Sequence, residues 1–534
     1  MQRTSVFIVG GGPSGLSMAL LLNRFNIDYV LVEQNLTTTT HPKARGTWVR
    51  TMELFRQWGV EDRVVRRGLP DGATGFAFVE SMSGREYGRV PREPDLGQSP
   101  TWKCTISQDV VEEELLIAAR QDARGKIYQG VEYVGHEEDE NGVTVTTSDV
   151  RSGHKQVYHA KLLIAADGAG SVVRRRVGIE MRGPASLAVM SNDYWQADLS
   201  HLPIVRQMGA FRIAPAQLGV PVGTILNTNG CDKWLTVSKL ADGDAQVEPP
   251  SDDEVVRVAR AHTGIPNLEV KIINRSVWRV TKQIADRYSK GRTYLIGDAA
   301  HRFPPTGGYG MNTGIQDAHN LAWKLALVLT GKASIALLST YDVERRPIGH
   351  ANADFSLGNS LRFRLMDEAF KTSNEAQIEF WIRDAVHHSH SIGLGLGFSY
   401  EQGAVISDGT VHRGLVTNLY RPSDRPGGRY PHLWLDLARK RSTLDLFDTR
   451  FVVVHGPKSG DWAQAAKEAG ERLGIVIDTF RLDAVDPRDG LEMGMRGAVV
   501  VRPDGHVAWR TPGGEGESLT TVLGRVMSRL LTLG

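Results

Sequence analysis

Three short runs of glycine, aspartate and proline hold the residue types that could do chemistry. Gly10-x-Gly12-x-x-Gly15 follows the apolar run SVFIV and opens the run LSMALLL, a strand–turn–helix context. Glycines at this spacing let the backbone approach a pyrophosphate, and the helix that follows offers unpaired N–H groups and partial positive charge. Glu33 ends the next apolar run, where a carboxylate can accept from ribose hydroxyls. This much reads as a dinucleotide site and does not separate NAD from FAD. The second run, AADGAGSVVRR (165–175), ends another strand in Asp-Gly, and Asp167 and Arg174 could link a pyrophosphate to the backbone. Asp-Gly turns are common, so this run means little by itself.

The third run separates the two dinucleotides. IGDAAHRFPPTGGYGMN (296–312) sets Asp298 at the carboxyl end of the strand-like TYLI, the end at which dinucleotides bind in α/β sheets. A carboxylate there suits the hydroxyls of a ribityl chain, which FAD has and NAD lacks. Two prolines and a glycine loop then precede a helix predicted from about Gly310. The N–H groups of Gly310, Met311 and Asn312 would face the pyrimidine end of a flavin, where negative charge develops on reduction. The first and third runs would thus hold opposite ends of one FAD.

Several elements must position these runs. Residues 4–34 read as a βαβ unit, 37–46 as a loop, and 47–60 and 108–123 as helices. Residues 184–280 change to short strand-like runs with scattered Trp and Phe, predicting a mostly antiparallel sheet with one helix near 251–263. Helical periodicity returns from 314 to about 390. A glycine-containing linker follows (393–409), and 430–534 forms a second α/β pattern.

Taken in order, IVGGGPSGL, ISQDVVEEELL, AADGAGSVVRR and GDAAHRFPPTGGYGMNTGIQDAHNLAWKL resemble the single-component (class A) FAD-dependent aromatic hydroxylases with the para-hydroxybenzoate hydroxylase fold. The match runs from residue 1 to about 390. The tail, with RPGGRYPHLWL (425–435) and GAVVVRPDGHVAWR (497–510), resembles the thioredoxin-like third domain of the phenol and polyketide hydroxylase branch. It has no CxxC, so it reads as structural support or a subunit interface, as in a homodimer, and not as a thiol redox unit.

The resemblance implies an α/β fold. A Rossmann-like FAD-binding domain (1–75, 104–183 and 281–392) carries an inserted, mostly antiparallel β-sheet substrate domain (76–103 and 184–280). A linker (393–409) then leads to a thioredoxin-like α/β domain (410–534). It further implies a monooxygenase in which NADPH or NADH reduces FAD and O2 forms a C4a-hydroperoxyflavin. That species would hydroxylate a phenolic aromatic, polyketide-like and carboxylated rings included. Baeyer–Villiger insertion or heterocycle oxidation stays open as an alternative, because the motifs bind cofactor and not substrate.

The residues implied are these. Gly10, Gly12 and Gly15 approach the pyrophosphate, Glu33 binds the adenosine ribose, Gln108 reaches the flavin side and Asp298 the ribityl chain. Met311 and Asn312 meet the flavin O2 through backbone N–H, and the Pro305 carbonyl meets a substrate hydroxyl near the reactive face. Two departures matter. Relatives commonly have Arg-Ala where Lys43-Ala44 stands, which replaces a bidentate contact by a point charge. Arg45 takes a place that holds His in some phenol-oxidising members; it reads either as a fixed cation for a phenolate or carboxylate, or as an Arg on the FAD phosphates. Phe211, Trp234 and Trp278 are candidates to line the substrate pocket, with ordinary core packing as the alternative.

Composition narrows the partners. With 63 basic and 61 acidic residues, net charge +2, nothing in the charge balance argues for nucleic acid or a membrane surface. No run reaches the roughly 18 apolar residues of a membrane span, and the opening TSVFIVG reads as a strand and not as a signal peptide. Cys104 and Cys231 have neither CxxC nor metal spacing, which fits a reducing cytoplasm and leaves no metal centre to expect.

Overall fold

The computed structural model describes every residue except 71–73, 123, 216–218, 484–489, 514–516 and 533–534. From Val6 onward, β1 (Gln2–Val9) is buried, as an unbroken apolar run inside a parallel sheet must be. α1 (Pro13–Arg24) crosses to β2 (Tyr29–Glu33), which pairs parallel with β1. On its other side β1 pairs parallel with β3 (Lys155–Ala165), and β3 with β4 (Thr293–Leu295). The carboxyl ends of β1, β3 and β4 therefore lie side by side, and Gly10, Asp167 and Asp298 follow them directly. α2 (Tyr309–Leu329) packs on α1, and α3 (Thr340–Lys371) carries Pro347 within it.

The second layer is a seven-stranded sheet of Lys271–Val280, Ala188–Gln196, Lys233–Asp242, Gly223–Asn227, Met208–Ile213, Gly75–Val79 and Glu86–Val90, in that order. All neighbours are antiparallel except Met208–Ile213 with Gly75–Val79. One face is covered by the helix Asp252–Thr263. Ser251 caps that helix by accepting from the Glu254 N–H, and Gly264 ends it at φ +72°. The other face turns toward the first layer. His41 bonds Asn274 and Ser276 there, and Arg212 pairs with Asp367 of α3.

The stretch 393–409 reads as a linker, yet Leu394, Leu396, Phe398, Tyr400 and Ala404 are all buried. Three of its glycines serve close packing: a Cβ on Gly393 would overlap the Val416 carbonyl, one on Gly397 the Gly393 carbonyl and one on Gly403 the Glu344 side chain. Beyond it, Phe451–His455 pairs parallel with Ile477–Arg481 and antiparallel with Ala498–Val501, which pairs with Val507–Thr511. Helices Trp462–Leu473 and Leu519–Leu530 share one core over this sheet, a thioredoxin-like arrangement.

A buried polar seam joins this third unit to the first. Arg502 donates two 2.9 Å bonds to the Glu344 carboxylate on α3, and Lys324 on α2 adds one at 2.8 Å. Asn320 and the Ala404 N–H complete that carboxylate's partners, while Asp504 accepts from Arg502 and from the Trp323 indole. Burial by itself would raise the Glu344 pKa; Arg502 and Lys324 outweigh it and hold the group at about 2. A carboxylate depressed in this way contributes stability above its ordinary value of 4.5, lost as pH falls toward 2. Glu344→Gln leaves two buried cations short of a counter-charge and should cost about 3–5 kcal/mol of unfolding free energy. Denaturant melts near neutral pH check this: equal midpoints for variant and wild type would show the seam to be energetically idle.

Candidate active site

The glycine turn is shaped by what surrounds it. Gly10, at φ +108°, has no room for a Cβ against the Ala166 carbonyl, and a Cβ on Gly15 would strike the Gly10 carbonyl. These two glycines therefore serve the close packing of α1 on β1 and β3. Gly12 differs. It is the N-cap of α1 in an extended conformation, and a Cβ there would meet nothing within 4 Å. The space it leaves opens over the helix N-terminus, where an anion fits. Glu33 accepts from the Gly11 N–H at 2.7 Å and from the Asn35 N–H at 2.8 Å, so its carboxylate stands beside the turn.

The late loop docks on that same turn. Cβ atoms on Gly297 and on Gly314 of α2 would both overlap the Ser14 hydroxyl, and the one on Gly314 would also come 2.9 Å from the Gly297 Cα. Only glycine at both places lets the loop, α1 and α2 meet. Asp317 on α2 fixes the loop, accepting from the Gly297 N–H (3.2 Å), His301 Nε2 (2.6 Å) and Arg345 Nε (2.8 Å). His301 thus anchors the loop on α2. Asp298 is accessible to water, yet protein surrounds it in depth and burial raises its pKa against the pull of His301, Arg302 and Lys43. Its carboxylate accepts no hydrogen bond among the described residues. It is a free acceptor in the wall of a cleft.

Past the prolines, Gly308 at φ +69° caps α2, with Gly310 and Met311 in the first turn, where N–H groups lack intrahelical partners. Gly310 lies next to the Asp298 carboxylate, 4.0 Å from where its Cβ would stand. Asn312 reaches sideways: its Oδ1 accepts from the Trp48 N–H at 2.8 Å, and its Nδ2 donates to the Gly46 and Gly308 carbonyls. Trp48 stacks on Tyr309 at 5.3 Å and donates its indole N–H to Gly308. The Pro305 carbonyl accepts the Gly308 N–H at 2.9 Å within this turn and keeps a second lone pair.

Around the cleft stand several charged groups. Lys43 makes no hydrogen bond with its side chain among the described residues, and its charge acts on both Asp298 and the buried Glu112. Glu112 accepts from Gln108 Nε2 at 2.8 Å and from the Thr39 N–H, while the Gln108 N–H bonds the Ala44 carbonyl. Arg45 has a buried Nε without a partner, and burial lowers its pKa to about 10. Asp167 is occupied differently: it accepts from Ser171 Oγ (2.5 Å) and the Val173 N–H (3.0 Å), capping the short helix Val172–Arg176. Arg174 donates to the Ala299 carbonyl, tying that cap to the late loop.

Two of the three aromatic candidates need correction. Phe211 and Trp234 are fully buried with Trp195, Ile213 and Ala259 on the helix-covered face of the second sheet. Strand residues alternate faces, and their parity points them away from the cleft. The inner face carries Asn192, Tyr194, Thr224, Leu226 and Val237, with Trp278 donating its indole N–H to Asn192 at 2.9 Å. Thr224, Leu226, Val237 and Trp278 are only half-buried, as residues lining an open space are. Aromatic content alone could not separate the two faces; register could. Sequence reading also passed over Ser14, Trp48, Glu112 and Asp317. Ser14, Glu112 and Asp317 sat inside motifs already quoted.

The free acceptor at Asp298, the open cradle at Gly12 and the unpaired cations fit FAD. Gly12→Val should therefore leave the apoprotein's thermal transition within about 1 °C of wild type, because the backbone there is extended and the space open, while abolishing flavin retention. Gly15→Val should instead disrupt folding, since it drives α1 off β1. Absorbance at the flavin band and thermal melts of both apoproteins distinguish the two; a Gly12→Val protein that still carries flavin would show that no pyrophosphate lies there.

A family model for an FAD binding domain matches residues 3–356, and one for the C-terminal domain of aromatic-ring hydroxylases matches 423–529. The chain is 34% identical to a 4-methyl-5-nitrocatechol 5-monooxygenase from Burkholderia sp., over 95% of this chain and 94% of that protein. It is 33% identical to a phenol 2-monooxygenase from Pseudomonas sp. (strain EST1001), over 95% and 90%. The structure of the flavin-dependent monooxygenase PieE in complex with FAD and substrate superposes with a TM-score of 0.91 at 31% identity, covering 100% of this chain and 99% of that one. Aklavinone-11 hydroxylase, in a ternary complex with FAD and aklavinone, gives 0.86 at 29%, covering 100% and 99%. With the glycine turn and the late loop meeting at one cleft, these matches establish that the chain belongs to the FAD-dependent aromatic-ring hydroxylases, as a flavin monooxygenase.

Proposed function

We propose that this enzyme hydroxylates a substituted phenol, using NADPH or NADH and O2. The observation that carries the reading is the convergence of Gly12, Asp298 and the α2 N-terminus on one cleft, beneath the half-buried inner face of the second sheet. FAD, when bound, would supply the redox chemistry between the nicotinamide and O2. The protein contributes position and polarity. Gly10 and Gly15 shape the turn, Gly12 leaves room for the pyrophosphate and Lys43 offsets its charge. Glu33 accepts from the adenosine ribose and Asp298 from the ribityl hydroxyls.

At the ring end, the N–H groups of Met311 and its neighbour Asn312 would oppose developing negative charge, and Gln108 would reach the flavin. The spare lone pair of the Pro305 carbonyl accepts the substrate O–H, directing electron density toward the ortho and para carbons. Trp278 and the apolar side chains beside it hold the ring flat and exclude water. Relatives named for activity on a nitrocatechol, on phenol and on tetracenomycin A2, with a putative polyketide hydroxylase beside them, support a phenolic ring, either monocyclic or part of a polyketide-like ring system. Among the described residues no helix is long and apolar enough to cross a membrane; the location proposed is the cytoplasm, and a homodimer would use the third unit.

Phenols incubated with holoenzyme, NAD(P)H and 18O2 test this. The expected product carries one labelled oxygen on an intact ring; a ring-expanded lactone, or reductant consumption with peroxide alone for every phenol tried, counts against the proposal. Asp298→Ala should raise the FAD dissociation constant about tenfold to a hundredfold, the usual worth of hydrogen bonds to a charged group. An unchanged constant would remove Asp298 from the ribityl site.

A further inference from the structure

Lys43 and Arg45 stand two residues apart on one extended segment, and their surroundings differ. Lys43 acts on Asp298 and Glu112, the carboxylates beside the glycine turn and the start of the late loop. Arg45 begins the strand Arg45–Thr47, paired to Ser107 across it, and has no carboxylate or hydrogen-bond partner among the described residues. Its carbonyl lies 4.0 Å from where a Cβ of Gly308 would stand. Trp48, three residues on, binds Gly308 and Asn312. The Arg45 backbone therefore belongs to the ring end of the cleft, near the turn made by Pro305, and not to the phosphate end. Four residues earlier, His41 pins the same segment to Asn274 and Ser276 of the roof.

A guanidinium with a buried, unpaired Nε is costly unless an anion completes it. The pyrophosphate already has Lys43, Gly12 and the α1 N-terminus. We propose that Arg45 selects the substrate: it receives an anionic oxygen group on the aromatic ring, a carboxylate or an ionised phenol. Even with its pKa lowered by burial to about 10, Arg45 stays protonated at neutral pH, and its planar fork can take both oxygens of a carboxylate or one phenolate oxygen. This inference rests on the hydroxylase reading and adds the charge state of the ring to it.

The test uses oxidised holoenzyme without reductant, so it reads binding and not turnover. Flavin difference spectra give dissociation constants for 4-hydroxybenzoate (a carboxylate), 4-nitrophenol above its own pKa (a phenolate) and phenol (neutral). Flavin fluorescence gives the FAD constant. Wild type should bind at least one anionic probe about tenfold to a hundredfold tighter than phenol. Which one does so identifies the anion. Arg45→Met should erase that advantage while the FAD constant stays within about threefold, and Arg45→Lys should restore part of it. Lys43→Met should show the converse: weaker FAD binding with the ring preference kept. Arg45→Gln serves in place of Arg45→Met if the latter does not fold. Loss of FAD in Arg45→Met comparable to that in Lys43→Met, with ring preference unchanged, would assign Arg45 to the cofactor. Equal binding of all three probes by wild type would overturn the inference and leave the hydroxylase reading standing. Failure of every probe to bind would overturn the inference for small phenols and count against a monocyclic phenol as the substrate.

Discussion

The Ser14 hydroxyl occupies a gap that exists only because Gly297 and Gly314 have no side chains. That gap is where the first turn of the nucleotide unit, the loop after β4 and the second turn of α2 come into contact. A methyl group on either glycine would separate them, and Gly297 at φ +61° adds a conformation that other residues resist. All else at the site follows from this approach. It brings Asp298 and the α2 N-terminus to the same cleft as Gly12, although the chain builds an entire sheet between them.

Buried charge holds this arrangement in register. Asp317 gathers Gly297, His301 and Arg345, and Arg345 continues to the Thr313 carbonyl and the Tyr400 hydroxyl. Burial would raise the Asp317 pKa; His301 and Arg345 overcome it and keep the carboxylate ionised. A few residues along α2 and α3, Lys324, Glu344 and Arg502 repeat the pattern and bring in the third unit. Arg50 and Arg429 do the same around Glu53 on the helix that follows Trp48. Such networks contribute little net stability compared with apolar packing, but each accepts only one geometry. Through Arg502 and Asp504 the third unit is bonded to both α2 and α3.

The roof shows a different division. One face of the seven-stranded sheet is a tryptophan-rich core under a helix, and the other carries buried Asn192 among half-buried Thr224, Leu226, Val237 and Trp278. Core aromatics and lining aromatics have the same composition. Only the side of the pleat tells them apart.

The sequence by itself determined the cofactor. Glycine spacing, an Asp at a strand's end and a proline–glycine loop before a helix are local requirements, legible wherever the backbone must approach a phosphate or present N–H groups. The thioredoxin-like tail was legible for the same reason: its strand and helix periodicities are local. Tertiary structure alone decided that Asp167 spends its oxygens on a helix cap, that 393–409 is packed instead of free, and that Phe211 and Trp234 face away from the cleft. Those outcomes depend on which residues, distant in the chain, arrive as neighbours, and burial and pairing are properties of neighbours, which no spacing along a chain records.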